Sequence, residues 1–162
     1  MSRSAFCANL VAPRLFVGAC PESPADVQHL KQELDVTTVL TLQTDADRRL
    51  YRLDWPGLLR AYEREGIELV ELPILDRDEE DLARRLPQAV HVLDELLRRG
   101  DQVLIHCNIG NGRSPTVVAA WLHWKQGWDV DAAVEHVHGC RDSQPNPEII
   151  RRACDQPSDG SR

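Results

Sequence analysis

Residues 103–121 read VLIHCNIGNGRSPTVVAAW, and this stretch combines a cysteine, two glycines and an arginine within a few positions. Five residues separate Cys107 from Arg113, and Gly110 and Gly112 lie between them. Glycines allow successive backbone N–H groups to turn toward one point and form a nest for an anion. A guanidinium supplies a planar pair of donors that matches two oxygens of a phosphate. The pattern therefore predicts a nucleophilic cysteine in a loop that holds a tetrahedral anion.

The elements on either side of this loop support that interpretation. QVLIH at 102–106 is typical of a buried strand, and RSPTVVAAWLHWKQG at 113–127 has the pattern of a helix that ends on a glycine. A helix that begins near Arg113 directs the positive end of its dipole at the anion site, which favours the thiolate of Cys107. Ser114 can donate a hydrogen bond to that thiolate. The alternative, a core thiol followed by a plain turn, does not explain why these features occur together.

Apolar runs alternate with helical patterns along the rest of the chain. Strands are predicted at 14–19, 37–42, 67–74 and 102–106, and helices at 23–34, 56–66, 76–100, 113–127, 129–141 and 146–155. The segment 43–55 is predicted to be a charged connection, and Pro87 to start or kink the long helix. The alternation predicts an α/β fold in which helices flank a central, twisted, largely parallel sheet of about five strands. Cys107 then lies at the carboxyl edge of the sheet, where such folds bind ligands.

Length and composition fit one globular domain of 162 residues with 42% hydrophobic and 28% charged side chains. We expect an N-terminal segment at 1–12, the domain at 13–155 and a disordered tail at 156–162. The net charge of −7 argues against a general binder of nucleic acid or of acidic membranes. Neither a membrane span nor a signal peptide is apparent, and five cysteines without C-x-x-C spacing argue against a disulfide framework or a zinc site. The expectation is a reduced, cytoplasmic, monomeric protein.

HCNIGNGRS at 106–114 resembles the His-Cys-x5-Arg-Ser/Thr loop of the cysteine-dependent phosphatases. From about residue 13 to residue 154 the chain resembles their dual-specificity branch. RLFVGA near the start and LPILD at 72–76 extend the resemblance. The implied fold is the α/β fold of those enzymes, and the implied activity is hydrolysis of phosphate monoesters without a metal or other cofactor.

The resemblance also implies a role for each matching residue. Cys107 would attack the phosphate ester and form a phosphocysteine, and Ser114 would assist its departure. Asp76 would protonate the leaving group and then activate water. His106 lies next to the nucleophile, and from this position we expect a buried residue that orients the loop rather than a proton shuttle. The implied phosphate-binding residues are Asn108, Ile109, Gly110, Asn111, Gly112 and Arg113.

The choice of general acid rests on position, because several carboxylates follow one another. They are Asp76, Asp78, Glu79, Glu80 and Asp81. Acidic residues ahead of a helix commonly cap it and interact with its dipole, whereas a general acid lies on a loop beside the nucleophile. Asp76 directly follows a predicted strand end, so we expect Asp76 to be the acid and keep Asp78 as the alternative.

Several segments resemble the glucan phosphatases of the laforin and plant starch-excess type, which remove phosphate from glycogen or starch and stack aromatic side chains on sugar rings. These segments are DVTTVLTLQTDAD, LPQAV, AWLHWKQGWDV and EIIRRAC. The possible substrate platform consists of Tyr51, Trp55, Arg77, Trp124 and Gln144. Arg77 and Gln144 depart from the family, since the plant enzymes carry aromatic residues there, and Ile109 replaces a loop alanine.

Three functions remain open for the chain. The first is hydrolysis of phosphotyrosine, phosphoserine or phosphothreonine in proteins, and the alternative is hydrolysis of a phosphorylated glucan. The third is an inactive phosphate-binding module. Such a module would be expected to have lost Cys107, Arg113 or the acid, and all of these are present. The neutral NIGNG sequence argues against a phosphoinositide phosphatase, and the loop is longer than that of a rhodanese-like sulfurtransferase.

Oxidation of Cys107 could be followed by a disulfide to Cys140 or another cysteine.

Overall fold

Five strands form one sheet in the computed structural model, which describes residues 6–154, and their order is β1-β2-β5-β3-β4. They are β1 (Ala8–Ala12), β2 (Leu15–Gly18), β3 (Thr38–Thr41), β4 (Glu68–Glu71) and β5 (Val103–His106). Strands β2, β5, β3 and β4 are parallel, and β1 pairs antiparallel with β2. The predicted α/β fold with a largely parallel sheet is confirmed.

Helices connect these strands and also follow the last one. They are α1 (Pro24–Gln32), α2 (Asp45–Leu50), α3 (Trp55–Glu65), α4 (Glu79–Arg98), α5 (Arg113–Gln126), α6 (Val130–Cys140) and α7 (Pro147–Cys154). The segment predicted as a charged connection contains α2, which begins with a capping box between Thr44 and Asp47. Pro87 does not start α4 but lies inside it, and the helix continues because its apolar face remains buried on both sides of the proline.

The two faces of the sheet bury different groups of helices. On β5, Val103 and Ile105 pack into a cluster with residues of α4, α5, α6 and α7, whereas Leu104 packs with residues of α1 and α3. This alternation is the period of two that a strand covered on both faces requires. Since all four strand residues of β5 are buried, the position at which β5 ends and the loop to α5 begins is fixed by the core.

The sequence predicts a separate segment at each end of the chain, and the structure describes part of the first one. The predicted N-terminal segment 1–12 contains β1, an edge strand in which only Val11 of the five residues is buried. The predicted tail at 156–162 lies outside the described residues. Among the helices of residues 6–154, none combines the length and the apolar composition needed to cross a membrane.

Candidate active site

The loop between β5 and α5 requires glycine at its centre. Gly110 has a φ of 71°, in the left-handed region, and an added Cβ would lie 2.6 Å from the Gly18 carbonyl oxygen and 2.7 Å from Arg141 Nε. Both the backbone conformation and the lack of space therefore exclude a larger residue. Gly112 precedes α5 without a side-chain cap, so the positive end of this helix remains available to a ligand held by the loop.

A cavity of about 470 Å³ opens above this loop, and we call it the Cys107 cavity. Among the residues considered from the sequence, it is lined by Tyr51, Asp76, Arg77, Asp78, Glu79, Cys107, Asn108, Ile109, Asn111, Gly112, Arg113 and Gln144. Cys107 is 3% exposed, and its Sγ lies 3.3 Å from the Oγ of the fully buried Ser114. A thiolate at this position would receive a hydrogen bond from the hydroxyl, which stabilises it as an attacking and as a leaving group.

Arg113 is held in place by acceptors behind the cavity. Its Nη1 donates to Asp47 Oδ2 at 2.8 Å and to the Ile74 carbonyl at 2.7 Å, while its Nη2 lies 3.4 Å from Asp76 Oδ1. Burial raises the pKa of Asp47, but hydrogen bonds from Arg113, the Thr44 amide and Asn108 outweigh it and hold that pKa below its usual value. The ion pair between Arg113 and Asp47 fixes the plane of the guanidinium through Nη1. It does not use Nη2, which lies beside Asp76.

Sequence reasoning did not identify the support behind Arg113. Asp47 is also the acceptor for Asn108 Nδ2 at 2.9 Å, and Asn108 Oδ1 accepts a hydrogen bond from Gln43 Nε2 at 2.9 Å. The Asn108 side chain therefore belongs to the supporting network. A local signal was present, because Thr44 and Asp47 have the spacing of a capping box, but it indicates a helix start and does not indicate contact with Arg113.

Asp76 and Asp78 differ in what their carboxylates contact. The Asp76 side chain is 44% exposed and lies beside Arg113 on the loop ahead of α4. The Asp78 carboxylate caps α4 by accepting a hydrogen bond from the Asp81 amide at 2.9 Å. Asp81 is itself buried and accepts from the Leu75 amide at 2.8 Å, which ties the first turn of α4 to the residue before Asp76. This geometry leaves the Asp76 carboxylate available to a substrate.

His106 supports the loop as a neutral imidazole. It is 2% exposed, and its Nδ1 donates to the Cys107 carbonyl oxygen at 2.7 Å. Burial lowers the pKa of His106 from 6.5 to about 4, with a smaller contribution from the positive charge of Arg113. At neutral pH the ring therefore orients the cysteine backbone and carries no charge.

The pH dependence of stability should reveal this buried histidine. Between pH 6.5 and about 4 the unfolded chain binds the proton and the folded chain does not, so the free energy of unfolding falls as the pH falls through this window. We expect His106 to account for a loss of about 2 kcal/mol between pH 7 and pH 5. Urea unfolding at both pH values measures it. His106→Asn keeps a donor for the Cys107 carbonyl and should lose less stability; equal losses in both proteins would contradict the assignment.

The sequence of this chain is similar to those of known phosphatases. Residues 15–154 match the family model of the dual specificity phosphatase catalytic domain. The chain belongs to the dual-specificity phosphatase family. Laforin from Mus musculus is 35% identical over 130 residues, which are 74% of this chain and 39% of laforin. The amyloplastic phosphoglucan phosphatase DSP4 from Castanea sativa is 32% identical over 148 residues, which are 90% of this chain and 39% of DSP4. The chain thus spans about two fifths of the length of each of these relatives.

The fold is likewise that of solved phosphatase structures. The crystal structure of Tk-PTP in the active form superposes with a TM-score of 0.71 and 25% sequence identity, and the match covers 91% of this chain and 92% of Tk-PTP. The chain therefore has the α/β fold of the cysteine-dependent phosphatase family, a family of hydrolases.

The predicted substrate platform of this chain is only partly assembled at the Cys107 cavity. Tyr51, Arg77 and Gln144 line it, whereas Trp55 and Trp124 do not. The ring of Trp55 lies 4.2 Å from the guanidinium carbon of Arg48, and the side chain packs against the core formed with α1 and α3. Trp124 lies eleven residues beyond the start of α5, about 16 Å along the helix axis, and packs against the other core.

Two other cysteines, Cys140 and Cys20, have surroundings that differ from those of Cys107. Cys140 lines a separate cavity with Trp121 and Trp128, and its Sγ lies 3.6 Å from His136 Nε2, so it is not placed beside Cys107 as the sequence hypothesis required. Cys20 lies next to the loop, but burial raises its pKa to about 12 and keeps it a thiol. In residues 6–154 no three His, Cys, Asp or Glu side chains are grouped as a metal site would require.

Proposed function

We propose that this phosphatase cleaves phosphate monoesters through a phosphocysteine on Cys107. The observation that carries the proposal is the convergence of the Cys107 thiol, the Arg113 guanidinium and the Asp76 carboxylate on one cavity. In the first step Sγ attacks phosphorus and the bond to the leaving oxygen breaks, while Asp76 gives that oxygen a proton. In the second step Asp76 takes a proton from water, the water oxygen attacks phosphorus, and the thiolate departs with a hydrogen bond from Ser114.

Arg113 and the loop amides would stabilise the charge that develops on the phosphoryl oxygens during both steps. The guanidinium is already fixed by Asp47 and by the Ile74 carbonyl, so little reorganisation is needed when the substrate binds. Donors that are held in place before the reaction contribute most in a site from which water is excluded. Arg113 and Cys107 are both at most 5% exposed, which fits that requirement.

We further propose that the phosphate is carried by a glucan. DSP4, which is 32% identical to the chain, is named a phosphoglucan phosphatase. The rim of the cavity also offers apolar surfaces that suit the face of a sugar ring: Leu75 is 50% exposed, Ile109 is 60% exposed, and Tyr51 is half-buried beside them. Arg77 and Gln144 add donors for hydroxyl groups at the same rim. Sequence reasoning gave phosphoproteins the first place, and these observations favour the glucan instead.

Phosphate release from a phosphorylated glucan and from a phosphopeptide distinguishes the two proposed substrate classes. Purified protein would be assayed with phosphorylated amylopectin and with a phosphotyrosine peptide, each rate normalised to that with p-nitrophenyl phosphate and corrected with Cys107→Ser as the blank. We expect the normalised rate with amylopectin to be the higher. A higher rate with the peptide would favour the phosphoprotein function, and folded protein without activity on all three compounds would favour an inactive binding module.

A matched pair of aromatic substitutions locates the sugar contact. Tyr51→Ala should lower the rate with amylopectin about five- to tenfold relative to p-nitrophenyl phosphate, because a stacking surface at the cavity is lost. Trp124→Ala removes an aromatic residue far from the cavity and should leave that ratio unchanged. If both variants behave alike, Tyr51 is not part of the glucan contact.

A further inference from the structure

Every carbonyl oxygen of the loop from Cys107 to Gly112 accepts a hydrogen bond from a group outside the loop. The donors, in loop order, are His106 Nδ1 at 2.7 Å, the Cys20 amide at 2.8 Å, Arg141 Nη2 at 2.7 Å, Arg141 Nε at 3.0 Å, the Gln144 amide at 2.7 Å and Thr116 Oγ1 at 2.8 Å. All six loop carbonyls are therefore occupied by these donors, and the carbonyls of Ile109 and Gly110 point away from the cavity, because their donor Arg141 does not line it.

The orientation of the carbonyls determines that of the amides. In a planar trans peptide the C=O and the following N–H point in opposite directions, so each outward carbonyl directs the next N–H inward. The six N–H groups of residues 108–113 have no acceptor among residues 6–154. They are thus free to donate to a ligand in the Cys107 cavity, and a tetrahedral oxyanion is the ligand that such a nest binds.

Arg141 holds two consecutive peptides of this nest. Its side chain donates to the Ile109 and Gly110 carbonyls and thereby orients the amides of Gly110 and Asn111. These two peptides flank Gly110, whose φ of 71° and missing Cβ leave the backbone freer to rotate than at any other residue type. The peptides most able to turn their N–H groups away are therefore the ones that Arg141 restrains.

The guanidinium of Arg141 is fixed from its other side as well. It lies at the C-terminal end of α6, and its Nη1 donates to Asn9 Oδ1 on β1 at 2.9 Å. Arg141 does not line the Cys107 cavity, so it is separated from a bound phosphate by the loop itself. A direct contact with the substrate is not the role that this geometry supports.

We propose that Arg141 is a positioning residue that holds the amides of Gly110 and Asn111 in their phosphate-binding orientation. The proposal rests on the proposed function, in which the loop binds the phosphoryl group. It assigns to one side chain, at the C-cap of α6, a part of the affinity for phosphate and of the stabilisation of the transition state. The sequence gives no sign of it, because Arg141 lies 31 residues from Gly110 and outside the loop pattern.

Amide spectra with inorganic phosphate as the probe test the assignment directly. In ¹H–¹⁵N spectra of the wild-type protein, phosphate should shift the signals of the loop amides. In Arg141→Ala we expect the shifts of Gly110 and Asn111 to be lost, while Ile109 and Arg113 still respond. The inhibition constant for phosphate should rise about tenfold and kcat/KM for p-nitrophenyl phosphate should fall about 100-fold, the lower end for loss of a fixed oxyanion donor.

Two further variants keep the test decisive. Arg141→Lys retains the charge but lacks the planar guanidinium whose Nε and Nη2 each serve one carbonyl, so its inhibition constant should lie between those of the wild type and Arg141→Ala. Arg151→Ala removes the same charge from an exposed position on α7 and should change neither constant.

The outcomes separate this inference from the function on which it rests. Folded Arg141→Ala in which Gly110 and Asn111 respond to phosphate as in the wild type would overturn the role of Arg141 alone. A full effect in Arg151→Ala would also overturn it, because the change would then be one of net charge. Absence of any phosphate response in the wild-type loop would overturn the proposed function and the assignment together.

Discussion

Replacing Cys107 with serine should reduce phosphate release by about 10⁴-fold or more while the protein remains folded. A serine hydroxyl becomes a nucleophile only when a neighbouring base takes its proton. The adjacent imidazole cannot serve, since His106 Nδ1 donates to the Cys107 carbonyl and both groups are buried. Initial rates with p-nitrophenyl phosphate give the loss of activity, and circular dichroism during thermal unfolding checks the fold.

The fold should tolerate the change because serine is slightly smaller than cysteine and can share a hydrogen bond with Ser114, which lies 3.3 Å from the thiol. Cys140→Ser is the matched control, since it makes the same substitution at a half-buried cysteine in a separate cavity. We expect that control to retain most of the activity. Activity of Cys107→Ser within tenfold of the wild type would refute the phosphocysteine mechanism.

The predictable part of this fold consists of elements with a strong and continuous pattern. β5 and α5 were predicted within a residue or two because four buried strand residues and a long apolar helix face leave few alternatives. α2 was missed because its six residues are mostly charged and its only signal is the box formed by Thr44 and Asp47. β1 was missed because a five-residue edge strand with one buried side chain has little hydrophobic pattern.

In the site, residues close together in the sequence could be predicted, whereas contacts between residues far apart in the sequence could not. Cys107, Arg113 and Ser114 occur in one contiguous segment, so their spacing alone indicated a common anion site. Asp47 reaches Arg113 across 66 residues of sequence, and no periodicity reports a contact of that kind. Trp124 was considered for the substrate platform because of its sequence surroundings, but it does not line the cavity, since the rise of α5 carries it away from the loop.

Replacing Asp76 with asparagine should lower kcat/KM, which reports formation of the phosphocysteine, by about 10²- to 10³-fold for substrates with poor leaving groups, such as the alkyl phosphate of a sugar or of phosphoserine. The asparagine amide cannot give a proton to the departing alkoxide, which is a strong base and needs one. A phenolate with electron-withdrawing groups leaves without that help, so the loss should be much smaller with p-nitrophenyl phosphate. Plotting log kcat/KM against the pKa of the leaving group measures the difference, and Asp76→Asn should give the steeper negative slope.

Asp78→Asn decides whether the effect belongs to this one carboxylate. Asparagine is as good an N-cap as aspartate, so the hydrogen bond to the Asp81 amide at the start of α4 should persist while the negative charge is lost. Because the Asp78 side chain is occupied by this cap and the Asp76 side chain is not, we expect Asp78→Asn to keep the wild-type slope. A steep slope in Asp78→Asn with a normal slope in Asp76→Asn would transfer the role of general acid to Asp78, and with it the side of the cavity from which the leaving group departs.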